Sequence, residues 1–454
     1  MKIKRNRSLY MVLITLCIVL AACSSDDSVS EPKNVLEAGK TYAVTVNASK
    51  GGGETRALSL SGSTLNANWE TSENVYFCNR GEISFNGFLR PQTGGTLKTT
   101  LNGSITSSHT LSFPIALSLI FPRNEWNYTD QVGTIADIAA KYDYNTAPVS
   151  LSKLTESGVE ASTSVDFTSQ QAVVKFTLKD KNNSDAAISA TSLRISASGL
   201  AQSVDVDHSG DVFTFTNTPG DITVTPVSGT STIWVALRGI SGKQVRLTAT
   251  DGTDTYVYAK DNVTFTHGNY YEITVKMTKI TEGITLSAVT SDYIGCVVGQ
   301  DGKVYSTRDK ATAASTTAVA MVAYVSSTGH GLAIALADES RTMNQSDAIA
   351  AASGKTAIPC GTWRLPTVQD WQSMLTGCGN GASTSQWGGV DATALTSKLA
   401  TLGASLQTTA NYWSSVDSYA PYFLSTTVDL SNADPHGGLS SYYVRSVLAF
   451  PKTD

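Results

Sequence analysis

The sequence predicts a mainly β chain: two β-sandwich blocks in tandem, followed by an α+β block. Three observations predict it. From residue 41 to 279, apolar and polar residues alternate in short runs broken by Gly, Asn and Ser, which is the period of half-buried strands. Helical spacing is scarce there and becomes frequent only after Lys279. The composition is rich in Thr, Ser, Gly and Val and 41% hydrophobic, enough for real cores in a β protein. A chain of 454 residues, at about 150 residues per domain, suggests three folded units. Their expected bounds are 41–165, 166–280 and 281–454.

The first forty residues read as targeting. MKIKRNRS carries Lys2, Lys4, Arg5 and Arg7, and an apolar run follows from Leu9 to Ala22. That run is too short to cross a bilayer, so 1–22 reads as a signal peptide. It ends in Leu20-Ala21-Ala22-Cys23, which resembles a bacterial lipobox with Cys23 as the lipidated residue, a palmitate carrier. Ser24-Ser25-Asp26-Asp27 follows. This cluster resembles the surface-export signal of Bacteroidetes lipoproteins and makes 23–40 a tether on the outer face of the outer membrane. The net charge is −5, and removal of the signal makes the remainder more acidic. No basic patch stands out, which argues against nucleic acid or an anionic membrane surface as a partner.

Within the first block, KTYAVTVNAS (40–49) alternates as a strand and GGGETRAL (51–58) follows it. VYFCNRGEISFNGFL (75–89) reads as a hairpin, and so does the run through Leu97, Leu101 and Leu111. GTIADIAAKYDY (133–144) places Ile135, Ile138, Ala139 and Tyr142 on one helical face. The second block offers QQAVVKFTLKD (170–180), two strands around a turn in SVDVDHSGDVFTFTN (203–217), and further strands up to Lys279. In the third block RTMNQSDAIAAAS (341–353) reads as a helix. TVQDWQSML (367–375) is a second, with Thr367 as N-cap after Pro366. DATALTSKLATLG (391–403) is a third, with Gly403 at its C-terminal end. YYVRSVLAF (442–450) is the closing strand.

TRALSLSGSTLNANWETSENVYFCNRG, GTIADIAAKYDYNTA, DFTSQQAVVKFTL and HGNYYEITVKMTK, in that order, resemble fimbrillin-like proteins of Bacteroidetes, the type V pilus lipoproteins. The resemblance spans about 42–279 and implies two tandem transthyretin-like β-sandwiches of about seven strands each. DYIGCVVGQDGKVYSTRDKATAA, GTWRLPTVQDW, NYWSS and YYVRSVLAF resemble C-type-lectin-like modules, which implies an α+β C-type-lectin-like domain over 281–454. Trp363, Leu365, Trp371, Tyr412 and Trp413 are then core anchors. Calcium-dependent lectins use a Trp-Asn-Asp word where this chain has Trp413-Ser414-Ser415, so no calcium site is expected.

The resemblance also implies a role for Arg56. Fimbrillin-like pilins are cut after an arginine by a trypsin-like surface protease, which removes the lipid and the first strand. Arg56 and Ala57 are the expected processing pair, preceded by Gly51, Gly52 and Gly53 in a loop of the kind proteases reach. Loss of strand 40–49 leaves two edges with unpaired backbone groups over an apolar groove. The donor strand of a neighbouring subunit fills it. Only PKTD follows YYVRSVLAF, so the chain is expected to accept a strand and not to donate one. The expectation is a pilus-tip adhesin on the fimbrium, binding a glycan or protein ligand through its third block. The alternative is an uncut, lipid-anchored surface binding protein or pilus anchor.

Other motifs do not hold. DVDHSGD (205–211) imitates half of an EF-hand but has Thr216 where the bidentate Glu belongs. Gly354-Lys355-Thr356 ends like a P-loop but has Ile349 where the first Gly belongs. No catalytic constellation is visible and no enzyme, metal or cofactor is expected. Cys360 and Cys378 are the candidate disulfide pair, though spacing leaves connectivity open. For a ligand, exposed rings beside polar groups are the candidates: Trp387 in SQWGG, Tyr419 and Tyr422 in VDSYAPYF, and Asp434 and His436 beside Asn432 in NADPHGG.

Overall fold

The alternation in residues 41–49 forms a strand, β1 (Thr41–Ser49), whose inward face is Tyr42, Val44, Val46 and Ala48 and whose outward face is exposed. In the computed structural model, residues 34–50, 59–61, 64–66, 68–78, 83–122, 126–207, 214–327, 330–379, 389–415, 419–424 and 427–451 are described. The chain is mainly β, with short helices concentrated after residue 300. Around β1 stand β2 (Val75–Phe77), β3 (Phe88–Pro91), β4 (Lys98–Ser107), β5 (Ile115–Phe121), β6 (Asn145–Thr155), β7 (Gly158–Ala161) and β8 (Val165–Asp166). They pair in the order β1–β7–β6–β5–β2–β3–β4, and β4 pairs back onto β1. The first unit is therefore a closed ring of strands, and β1 is the stave that closes it. Its interior holds Trp69, Phe77, Phe85, Leu89, Leu101 and Leu119, all buried. The expected 75–89 hairpin exists as the β2–β3 pair. The expected hairpin through Leu97, Leu101 and Leu111 does not: β4 is one long strand, while Leu111 pairs with Leu36.

Residues 126–144 leave this ring. Trp126, Tyr128, Ile138, Tyr142 and Tyr144 are buried in the second core, although the sequence places them inside the first block. The helix α1 (Ile135–Lys141) is capped by Thr134, whose side chain accepts from the Asp137 N–H. Gln131 holds the segment to strand Thr232–Leu237: its amide donates to Ala236 O and accepts from Ala236 N, both at 2.8 Å. The second unit is an eight-stranded sheet in which Ala172–Asp180 runs parallel to Tyr270–Lys279 and antiparallel to Thr232–Leu237. Ala201–Asp207 and Thr214–Pro219 pair antiparallel, with Asp205 opposite Thr216, as expected for a hairpin.

The third unit has a seven-stranded sheet in which Val447–Pro451 lies between His330–Ala335 and Thr362–Arg364. The WRLPTVQDW word builds the entry to α4 (Val368–Cys378), which follows α2 (Arg308–Ala313) and α3 (Gln345–Ser353). Thr367 and Asp370 form a reciprocal capping box, satisfying backbone donors that a helix start leaves open. Arg364 holds the same Asp370 through both guanidinium nitrogens, one at 2.9 Å. Trp371 and Tyr412 are fully buried and meet Phe423 at ring separations of 5.1 and 5.4 Å. The Tyr412 hydroxyl donates to Asp338 at 3.0 Å, and Asp338 pairs with buried Arg445 at 2.7 Å. Thus the YWSS and YYVRSV words are tied together by one polar chain inside an aromatic core.

The second and third units share buried polar contacts. Arg246, from strand Ile240–Thr250, donates to the carbonyls of Ser291 and Asp292, and Ser198 donates to Asp391. Nearby, α5 (Thr393–Thr401) turns Lys398 inward, where it is 3% exposed. Burial lowers its ammonium to about 8, with Arg246 adding repulsion and the Cys378 thiol opposing.

Two outcomes are expected. Asp370→Ala removes its half of the capping box and the Arg364 contact together and costs about 2 kcal/mol, read by chemical denaturation. Lys398 loses its proton more readily folded than unfolded, where its pKa is about 10.4. The contribution of Lys398 to stability therefore rises as pH increases from about 8 to about 10, because the unfolded chain then binds this proton and the folded chain does not, while the raised Cys378 thiol acts in the opposite direction over the same range. Subtracting the Tm profile of Lys398→Met from that of the unsubstituted chain isolates the rise.

Candidate functional site

The site is the groove that β1 occupies. Nine consecutive residues of β1 pair antiparallel with β4, from Thr41 opposite Thr106 to Ser49 opposite Lys98. The other edge is parallel and interrupted. Val44 and Thr45 face Val159 and Glu160 of β7, and Ala48 and Ser49 face Val165 and Asp166 of β8. Between these contacts lies a cavity of about 510 Å³ lined by Thr45, Asn47 and residues 157–164. Gly158 (φ +127°) permits the close approach, since a Cβ there would lie 2.5 Å from the Ala43 carbonyl oxygen. The four inward side chains are 7, 1, 0 and 2% exposed, a burial that stabilises the seated strand by on the order of 6 kcal/mol.

Both ends of β1 are fastened. At its start, Gly39 N–H donates to Ser107 O at 2.8 Å and Glu37 N–H to the Tyr42 hydroxyl at 3.2 Å. At its end, Ser49 donates to Asp166, and Lys50 N–H donates to Leu97 O at 3.0 Å. Lys50 itself is 1% exposed. Its ammonium donates to Glu73 at 2.6 Å, Asn68 O at 3.1 Å and Asp143 at 3.4 Å. It lies 4.7 Å from the Trp69 ring centre and 4.9 Å from that of Phe121. Burial lifts the Glu73 carboxyl above its ordinary value, with Lys50 pulling the other way. The sequence reading missed Lys50, Trp69, Glu73 and Asp143. The signal was there for Lys50: the inward positions 42, 44, 46 and 48 extend to 50.

Cys23, Arg56, Ala57 and Trp387 lie outside the described residues. Tyr419 bridges to Ala433 and Tyr422 is half-buried in strand Tyr422–Phe423. The chain brings 419–422 and 432–436 side by side, since Asn432 and Ala420 exchange hydrogen bonds of 2.8 and 3.0 Å. His436 is exposed, but Asp434 is not the exposed ligand-facing acid that the sequence suggests. It is buried and accepts from Gly438 N–H, the Ser440 hydroxyl, His436 N–H and the Tyr442 hydroxyl. Against the cost of burial, the Ser440 and backbone hydrogen bonds hold its carboxyl at about 2; it organises the turn. Cys360 and Cys378 are free thiols, not the expected disulfide: Cys360 is exposed at a tight turn, while Cys378 is buried and donates to Ala323 O at 3.6 Å. Burial pushes the Cys378 thiol up to about 11. A separate cavity of about 550 Å³ in the third unit is lined by Gln300, Arg308, Lys355 and Trp363 among others, none of them a candidate from sequence.

No protein-family model matches the chain, and no curated protein sequence does. Among solved structures it is similar to a fimbrial protein from Bacteroides ovatus, at 12% identity over 90% of this chain and 99% of that one, TM-score 0.25. It is also similar to a fimbrial assembly protein from Parabacteroides distasonis, at 14% identity over 53% of this chain and 92% of that one, TM-score 0.29. A shaft pilin from Lactobacillus rhamnosus matches at 11% identity over 53% of this chain and 99% of that one, TM-score 0.23.

Val46→Asp places an unpaired carboxylate on the fully buried face of β1, a cost above about 3 kcal/mol. Amide exchange in Lys98–Ser107 is expected to accelerate strongly while Thr232–Leu237 keeps its protection. Unchanged protection along β4 would show that the ring does not depend on β1.

Proposed function

We propose that the chain is a surface fimbrial subunit that accepts a neighbour's strand. It is made as a lipoprotein at Cys23, and a trypsin-like protease cuts between Arg56 and Ala57. The observation that carries this is the position of β1: the first long strand closes the ring, is bonded on both edges, and directly precedes the glycine-rich stretch with Arg56. A strand so placed leaves two open edges and an apolar groove when it goes, and strand addition by another chain restores both. The interrupted parallel edge beside β7 is the side from which exchange starts, having fewer hydrogen bonds to release.

The third unit is the head in this reading, a C-type-lectin-like module presenting a glycan or protein ligand site. Strand Val447–Pro451 is held on both edges and so is committed to the sheet of the third unit, which in this reading is presented at a fibre tip. A second reading, an uncut lipid-anchored binder, is favoured by the Cys23 lipobox with Ser24–Asp27 behind it.

The N-terminus of the protein recovered from the cell surface separates the two. The strand-accepting subunit begins at Ala57. A protein that begins at lipidated Cys23 keeps β1 and is an anchored binder.

A further inference from the structure

Lys50 is the fifth inward side chain of the strand that the proposed cut removes. Its partners all stay behind. Asn68, Trp69 and Glu73 lie after Arg56, Phe121 ends β5, and Asp143 precedes β6. They are held without help from Lys50. Asn145 donates to Asp143 at 2.8 Å, Glu70 N–H donates to Glu73 at 3.2 Å, and the fully buried Trp69 packs edge-on to Phe167 at 5.3 Å. What β1 leaves is thus more than an apolar groove. At one end it has a preformed socket of two largely buried carboxylates, a carbonyl and two aromatic faces.

Each element of this socket favours a cation. Carboxylates and a carbonyl accept hydrogen bonds from an ammonium or guanidinium. Ring faces attract positive charge, more so when water is excluded. Side-chain exposures of 13% for Glu73 and 7% for Asp143 mean that an apolar occupant would strip water from two acids without replacing its hydrogen bonds, and an acidic occupant would add repulsion.

We propose that this socket selects the incoming donor strand, admitting strands with Lys or Arg at the groove position of Lys50. The donor pattern is four apolar or small side chains at alternate positions, matching Tyr42, Val44, Val46 and Ala48, followed two residues later by a cation. The inference rests on the strand-accepting reading and adds a specificity that the apolar groove alone lacks.

The test uses the full folded chain with residues 51–58 replaced by the recognition sequence of a site-specific protease. After cutting, β1 stays seated without a covalent link. Labelled peptides spanning residues 37–50 then compete for the groove, and mass spectrometry reads the exchange. The Lys50 peptide is expected to enter, and Lys50→Arg within a few-fold of it. Lys50→Met is expected to fall at least tenfold and Lys50→Glu further. Glu73→Gln in the folded chain narrows the gap between the Lys50 and Lys50→Met peptides. Equal entry of the Lys50, Lys50→Met and Lys50→Glu peptides overturns the socket while leaving strand acceptance standing. If the Lys50 peptide itself does not enter, strand acceptance fails and the socket with it. Because the decisive changes are in the peptide, a misfolded protein variant cannot mimic either result.

Discussion

The hydrogen-bonded closure of the first ring by β1 is the constraint on which the rest of this reading depends. A sheet that closes on itself has no exposed edges, and its strands hold one another's backbone groups out of water. Here the closure is asymmetric. One edge of β1 is a continuous antiparallel ladder, and the other is parallel and broken by a polar cavity. The strand is therefore firmly seated in the intact chain, with one edge held by few hydrogen bonds, and the proposed exchange would run along that edge. Strong burial and an exchangeable edge are compatible because the apolar face supplies most of the stabilisation and any chain with the same alternation can provide it.

Burial alone would make such a groove promiscuous. The polar atoms at its end limit that. Lys50 is held by acids and rings that belong to the body of the protein, so the end of the groove discriminates by charge while its length discriminates only by shape. The same economy appears in the third unit. Arg364 and Asp370 fix the start of α4, and Asp338 joins Tyr412 to Arg445. Lys50 and Asp338 each sit where separate stretches of chain meet, whereas Arg364 and Asp370 fix a local turn; in each case removal of one partner leaves the other exposed to the cost of desolvation.

Much was legible in the sequence because it is local. Alternation marked β1, the 201–219 hairpin and the long strands of the second sheet. Spacing marked α1, α3, α4 and α5, and Thr367 was legible as the N-cap of α4, while its reciprocal partner Asp370 was not. What was misread is non-local. Residues 126–144 have the same periodicity whichever core they enter, and only packing sends them to the second, where Trp126 stacks between Tyr144 and Phe215. Asp434 looks like any loop acid until five donors converge on it.

The sequence by itself determined most strand segments, their apolar faces and the position of the glycine-rich stretch with Arg56, because periodicity and turn chemistry act over a few residues. The tertiary structure alone decided that β1 closes a ring, that its two edges differ, and that Lys50 ends between Glu73, Asp143, Trp69 and Phe121. Those partners lie up to about ninety residues away in the chain, and no local pattern specifies which distant acid a buried ammonium will meet.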